Sequence, residues 1–171
     1  YFPARPGDLF FIPPGIPHSL GAGIVAVEVE QNADCTYRLF DYNRKDAAGR
    51  LRPLQVAKAL NTIHFAAQSN QYGRAKIKER EQQKGYSRIL YDMQNYFDLQ
   101  LLQINDTFTD QPKEPCFTIY VIAAGHAVLA WDDSNFAVST GDVILVPASL
   151  PAIRLHARSL SFNVLRLQPV W

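Results

Sequence analysis

The chain has 171 residues, 47% of them hydrophobic and 19% charged, enough for one medium globular domain or two small ones. A formal net charge of +1 with no concentrated basic face excludes a nucleic-acid footprint; even RAKIKEREQQK, residues 74–84, is broken by Glu79 and Glu81. The apolar runs are strand-sized, far short of the roughly 20 residues that cross a bilayer as a helix, so no membrane partner is expected.

The sequence opens YFPARPGD, with no initiator Met and Met93 as its sole methionine, and it lacks the basic, apolar and small-residue layout of a signal peptide. The expectation is a processed chain or one part of a longer polypeptide. Cys35 and Cys116 are too few for a disulfide scaffold and are not spaced as a zinc pair. Each lies in an apolar, strand-like run, which predicts reduced, buried thiols and a cytoplasmic location.

Short β-branched and aromatic runs, punctuated by Gly, Pro, Asn and Asp, predict an all-β chain. The first strands are expected at 9–12 (LFFI), 16–20, 24–30 (IVAVEVE) and 36–42 (TYRLFDY). PLQVAKALNTIH, residues 53–64, breaks the rhythm. Pro53 suits a first helical turn, and Val56, Leu60 and Ile63 recur at helical spacing, so a short helix is predicted. Residues 65–85 are polar and Gln-rich and read as a linker, with a possible strand at 74–78. Further strands are predicted at 86–91, 97–104, 117–122, 126–131, 135–138, 143–146, 152–156 and 160–167. Residues 86–171 then have the size of one small β-barrel or jelly roll, and residues 1–64 are strands ending in a helix.

An internal repeat relates the two parts. GDLFFIPPGIPHSLGAG, from Gly7, returns as GDVILVPASLPAIRL, from Gly141. The copies share Gly-Asp, an apolar run, Pro13/Pro147 and Pro17/Pro151, but His18 in the first is Ala152 in the second. The later copy lies deep in its β unit and the earlier one at the start of its own. If both belong to one kind of barrel, the first barrel lacks its N-terminal strands here.

Turns on either side of His18 would hold it at a barrel strand, as a metal ligand or as a wall histidine satisfied by a hydrogen bond. Glu28 and Glu30 alternate with Val25, Val27 and Val29 and share one strand face, either plain solvent or the lining of a polar pocket. Arg38, between Tyr37 and Leu39, either covers apolar surface with its stem or is a fixed charge for a developing oxyanion. One histidine does not make a zinc shell. His64, on the helix, His126, in a Gly-His turn, and His156, among arginines, read as structural or surface residues.

The joint pattern of PxGxxHxxGxG over residues 13–23, then Glu28 ten residues ahead of Arg38 within TYRLFDY, resembles the class I mannose-6-phosphate isomerases in their shorter bacterial form. The match is densest over residues 7–60 and looser through the final barrel. The resemblance implies tandem cupin-type barrels, one Zn2+ in the first, and interconversion of mannose 6-phosphate and fructose 6-phosphate through a cis-enediol. It also implies His18 as the last zinc ligand, Arg38 as the catalytic arginine, Glu28 as an acidic residue near the active centre, and Asp34 in an undefined role. The family's other zinc ligands and its Asn-His-Lys-Pro-Glu motif have no counterpart here. The expectation is therefore the C-terminal portion of such an enzyme, inactive alone, with a sugar phosphate and the N-terminal part of the same polypeptide as partners. In the second barrel, Ala152 replaces the histidine, and Phe117 and Ile119 stand where metal-binding cupins carry a His-x-His pair, so a metal-free packing role is expected. Two alternatives are a non-catalytic cupin-like sugar-binding or regulatory module and a purely structural β protein.

Overall fold

Period-two runs become strands only where a second strand completes the hydrogen-bond ladder, and the two parts of this chain differ in that respect. A computed structural model describes residues 1–33, 35–66, 73–93, 96–111 and 116–170. The chain divides into two units, Tyr1–Arg74 and Ala75–Trp171.

In the first unit, β1 (Phe10–Phe11) pairs antiparallel with β2 (Gly73–Arg74), and α1 spans Val56–Thr62. The helix begins later than the predicted residue 53 because Gln55 takes the cap position with φ −117°, and it ends where Ile63 turns extended. Seven residues are too few for a stable helix alone, so tertiary contact through the buried Ala59 has to support it.

The strands expected at 16–20, 24–30 and 36–42 do not form. Their alternation is present, but no strand among the described residues pairs with them. The valines meant for a buried face therefore lie open: Val25 is 99% exposed and Val27 50%. Cys35 follows the same correction, being exposed rather than buried, and Cys116 is half-buried.

The second unit begins earlier than residue 86. Its strands are β3 (Ile77–Gln83), β4 (Tyr86–Tyr91), β5 (Phe97–Ile104), β6 (Thr107–Asp110), β7 (Thr118–Ala124), β8 (His126–Trp131), β9 (Ser134–Ser139), β10 (Val143–Val146), β11 (Ile153–Ala157) and β12 (Phe162–Pro169). β3 lies inside the predicted linker; its charged sequence, IKEREQQ, suits a solvent-exposed edge paired on one side with β4. β6, only four residues long, had no predicted counterpart.

All strand pairings among the described residues are antiparallel. The six-stranded sheet runs β10-β7-β12-β5-β4-β3, and the four-stranded sheet runs β6-β11-β8-β9. Setting aside β3 and β4, the orders β5-β12-β7-β10 and β6-β11-β8-β9 are the two sheets of an eight-stranded jelly roll, the cupin-type architecture. The core lies between them. Leu102, Ile104, Tyr120, Ile122, Phe162 and Val164 from one sheet face Phe108, Leu129, Ile153 and Leu155 from the other. Burying each such side chain contributes roughly 1.5–3 kcal/mol.

The repeated Gly-Asp motif builds the same turn twice. The Asp8 N–H donates to Arg5 O at 3.0 Å, and the Asp142 N–H donates to Ser139 O at 3.0 Å. Each aspartate returns the bond: the Arg5 N–H donates to Asp8 Oδ2, and the Ser139 N–H to Asp142 Oδ2, both at 2.7 Å. Gly7 and Gly141 carry φ of +86° and +97° at the third turn position, which a side chain would strain. Arg74 adds an ion pair to Asp8 in the first copy and lies over the Phe10 ring at 5.3 Å. Its hydrogen bond is the main cause that holds the Asp8 carboxyl below the usual carboxylate range.

Candidate functional site

The first turn leads through Pro13 and Gly15 to His18. Gly15 has φ +79°, its carbonyl accepts the His64 N–H at 3.0 Å, and a Cβ here would meet Thr62 O at 2.8 Å and the His64 ring at 2.9 Å. Glycine is thus required where the loop passes the end of α1. His18 is exposed, and its Nδ1 lies 2.9 Å from Ile16 O. A carbonyl can only accept, so Nδ1 is the donor here, and in the neutral ring Nε2 is the nitrogen left as an acceptor. Metal-binding histidines are commonly oriented in this way.

Arg38 is half-buried, and its main chain is joined to Gln55. Beyond it the chain makes a tight, strained passage, with Tyr42 at φ +52° and Asn43 at φ +53°. Non-glycine residues in this region cost on the order of 1–2 kcal/mol each. The neighbouring Asp41 is held by two arginines. Arg52 Nε donates to Asp41 Oδ2 at 2.6 Å, Arg52 Nη2 donates to Oδ1, and Arg44 Nη2 donates to Oδ1 at 2.5 Å. These bonds, that from Arg52 first, hold the Asp41 carboxyl far below the usual carboxylate range. Tyr42 OH then donates to Ser19 Oγ at 3.0 Å, tying the TYRLFDY segment to the residue beside His18.

Glu28 is not brought into this arrangement by any bond. It is exposed and makes no hydrogen bond or ion pair with another described residue. Asp34 lies outside the described residues. No three His, Cys, Asp or Glu side chains gather as a metal site among the described residues, whereas zinc takes about four ligands. The described residues therefore do not fit a complete zinc centre; His18 offers one ligand.

In the second unit Phe117 precedes β7 and is 38% exposed, while Ile119 pairs across β7 with Leu145 and Leu167. Ala152 is half-buried and lines a shallow cleft of about 160 Å³ with Trp131 and Arg154.

The structure also shows a buried polar cluster that the sequence reading missed. At one end of the jelly roll, Arg166 Nε donates to Asp110 Oδ2 at 2.6 Å and Tyr120 OH donates to the same oxygen. Arg166 Nη1 donates to Gln168 Oε1, and Gln168 Nε2 donates to Thr118 Oγ1, both at 2.9 Å. Burial first, and the Asp110 charge second, push the Tyr120 phenol well above its ordinary value. The cluster satisfies itself and leaves no free nucleophile or base. Its signal was legible: in FNVLRLQP the core-facing phase runs Phe162, Val164, Arg166, Gln168, and in FDLQLLQI it runs Asp98, Gln100, Leu102, Ile104. Both faces turn polar at the same end, where Arg166 is opposite Gln100 and Gln168 opposite Asp98.

No family model matches the chain. Mannose-6-phosphate isomerase ManA of Bacillus subtilis (strain 168) is 30% identical over 152 residues, which cover 89% of this chain and 47% of that protein. The mannose-6-phosphate isomerase of Streptococcus mutans is 26% identical over 148 residues, 86% of this chain and 45% of its own length. The crystal structure of mannose 6-phosphate isomerase from Bacillus subtilis aligns with a TM-score of 0.65 at 26% identity, over 82% of this chain and 42% of that one. The chain spans about half the length of the curated relatives it matches. With likeness in sequence and in fold reaching through both units, this chain belongs to the mannose-6-phosphate isomerase family.

Proposed function

We propose that the chain is the C-terminal portion of a zinc-dependent aldose–ketose isomerase, cytoplasmic, that interconverts mannose 6-phosphate and fructose 6-phosphate. The observation that carries this reading is the likeness to mannose-6-phosphate isomerases over 86–89% of the chain. The bond between Tyr42 and Ser19 supports it by drawing the segments of His18 and Arg38 together.

In the proposed reaction a base takes the proton from C2 of the open-chain aldose. The C2–H electron pair becomes the C1=C2 double bond, and the carbonyl pair moves onto O1. Protonation of O1 gives the cis-enediol. Loss of the O2 proton and return of a proton to C1 then leave the ketose. Glu28 is proposed as the base, and the Arg38 guanidinium as the fixed charge that stabilises the enediolate oxygens. His18 would give one imidazole to the zinc, with the remaining ligands supplied by polypeptide outside the described residues; no proton-transfer step is assigned to the ion.

The test is Arg38→Ala in the longer polypeptide that carries this segment. Conversion of mannose 6-phosphate is expected to fall about 100-fold or more, with zinc content unchanged. A longer polypeptide that does not interconvert the two sugar phosphates would overturn the reading, as would Arg38→Ala with full turnover.

A second reading, a non-catalytic cupin-like sugar-binding or regulatory module, is favoured by the absence of a three-residue metal group among the described residues. Binding of mannose 6-phosphate without turnover by the longer polypeptide would select it.

A further inference from the structure

Gln55 occupies the position ahead of α1 where a Ser, Thr, Asp or Asn side chain ordinarily caps the first helical turn. Its side chain makes no cap bond, and the first turn of α1 holds no acidic residue to take that role. The side chain reaches instead to Arg38. Gln55 Oε1 accepts the Arg38 backbone N–H at 2.9 Å, and the Gln55 backbone N–H donates to the Arg38 carbonyl at 2.9 Å. Gln55 Nε2 donates to Pro53 O at 3.1 Å, which sets the amide so that its oxygen faces Arg38. One residue therefore satisfies both main-chain polar groups of another that lies far from it in sequence. Both are half-buried, and Arg38 lies in a run that has no strand ladder among the described residues.

We propose that Gln55 is the positioning residue for Arg38, fixing the backbone frame from which the guanidinium reaches the substrate. This rests on the reading of Arg38 as the catalytic arginine. An arginine head group stands at the end of a long, freely rotating stem, so a small tilt at its Cα becomes a large displacement at the guanidinium. In a ladder, neighbouring strands prevent that tilt; here the clamp from Gln55 takes their place. The requirement is specific. A shorter amide does not reach the Arg38 N–H, and a carboxylate of the same length keeps an oxygen in the required place.

The experiment uses the longer polypeptide, with mannose 6-phosphate as substrate. Gln55→Asn is expected to lower kcat by about 10- to 100-fold, with KM and zinc content unchanged. Gln55→Glu, which retains the acceptor oxygen toward Arg38 but loses the donation to Pro53 O, is expected to fall between the parent and Gln55→Asn. Added to Arg38→Ala, Gln55→Asn is expected to cause no further loss, because its effect runs through that side chain. Three outcomes overturn the proposal: unchanged kcat in Gln55→Asn, a Gln55→Glu protein as impaired as Gln55→Asn, or a Gln55→Asn loss that persists in full beside Arg38→Ala. A Gln55→Asn chain that fails to fold while Gln55→Glu folds but is inactive also overturns it. The single variant Arg38→Ala separates the two levels. Normal turnover there removes the catalytic reading and this proposal with it, whereas impaired turnover with a normal Gln55→Asn enzyme removes only the role of Gln55.

Discussion

Asp41 is 6% exposed, beside Phe40 and Tyr42, which lie open to solvent. Sequence showed Asp41 only as a member of TYRLFDY; nothing in its spacing indicated that Arg44 and Arg52 would close on it, because that depends on the turn at Tyr42 and Asn43. The pairing has a pH signature. The folded carboxyl is held below its unfolded value of about 3.9, so the stabilisation is fully present above that pH and is lost as pH falls through the lower, folded value. Asp41→Asn is expected to lower the thermal midpoint at pH 7, and the gap to the parent is expected to narrow only below about pH 4. Thermal melts between pH 7 and pH 2.5 check this; a gap that closes by pH 6 would point to another group. The residue scale was also where the reading from sequence was least complete. His18 and Arg38 were singled out by their surroundings in the chain, but Gln55 and the Asp110–Arg166–Tyr120 cluster act through contacts between distant segments.

Elements were more legible. Four predicted strands of the second unit match the observed bounds, at 86–91, 97–104, 126–131 and 143–146, because alternation and turn residues are local properties. β3 was misplaced because an exposed edge strand needs no apolar face, and β6 was missed because four residues are too few to show a period. Turns can be tested singly. Gly125 sits between β7 and β8 with φ +85°, and a Cβ there would run into Ser161 O and Ser159 Oγ and lie 3.1 Å from the Phe162 Cα. Gly141 has a similar φ, +97°, but open space around it. Gly125→Ala is therefore expected to cost about 2–4 kcal/mol, the backbone strain plus the clash, and Gly141→Ala only about 1–2 kcal/mol. Denaturant midpoints of the two variants give the comparison, and equal losses would refute the steric part of the argument.

The whole molecule divides unevenly in its means of support. Among the described residues every buried hydrophobic side chain but Ala59 belongs to the second unit, while the first exposes Val25, Leu51, Leu54 and Phe65. Apolar alternation without a partner strand is a face prepared for burial. On the proposed reading, the 171-residue chain by itself is expected to show no isomerase activity and at most weak zinc binding, since no three His, Cys, Asp or Glu side chains gather as a metal site among the described residues. Zinc titration of the purified chain checks this, and tight binding of one zinc per chain would mean that the ligands are complete without further polypeptide.

What the amino-acid sequence determined by itself was periodic and local: the all-β character, most strands of the jelly roll, the twice-used Gly-Asp turn, and the motif around His18, Glu28 and Arg38. Only the tertiary structure decided which of those periodic runs became strands, since a strand exists through a partner that its own residues do not encode. It alone turned polar residues on two strands into one buried cluster. It alone placed the Gln55 amide against the backbone of Arg38, because a hydrogen bond between distant segments is set by how the chain returns on itself.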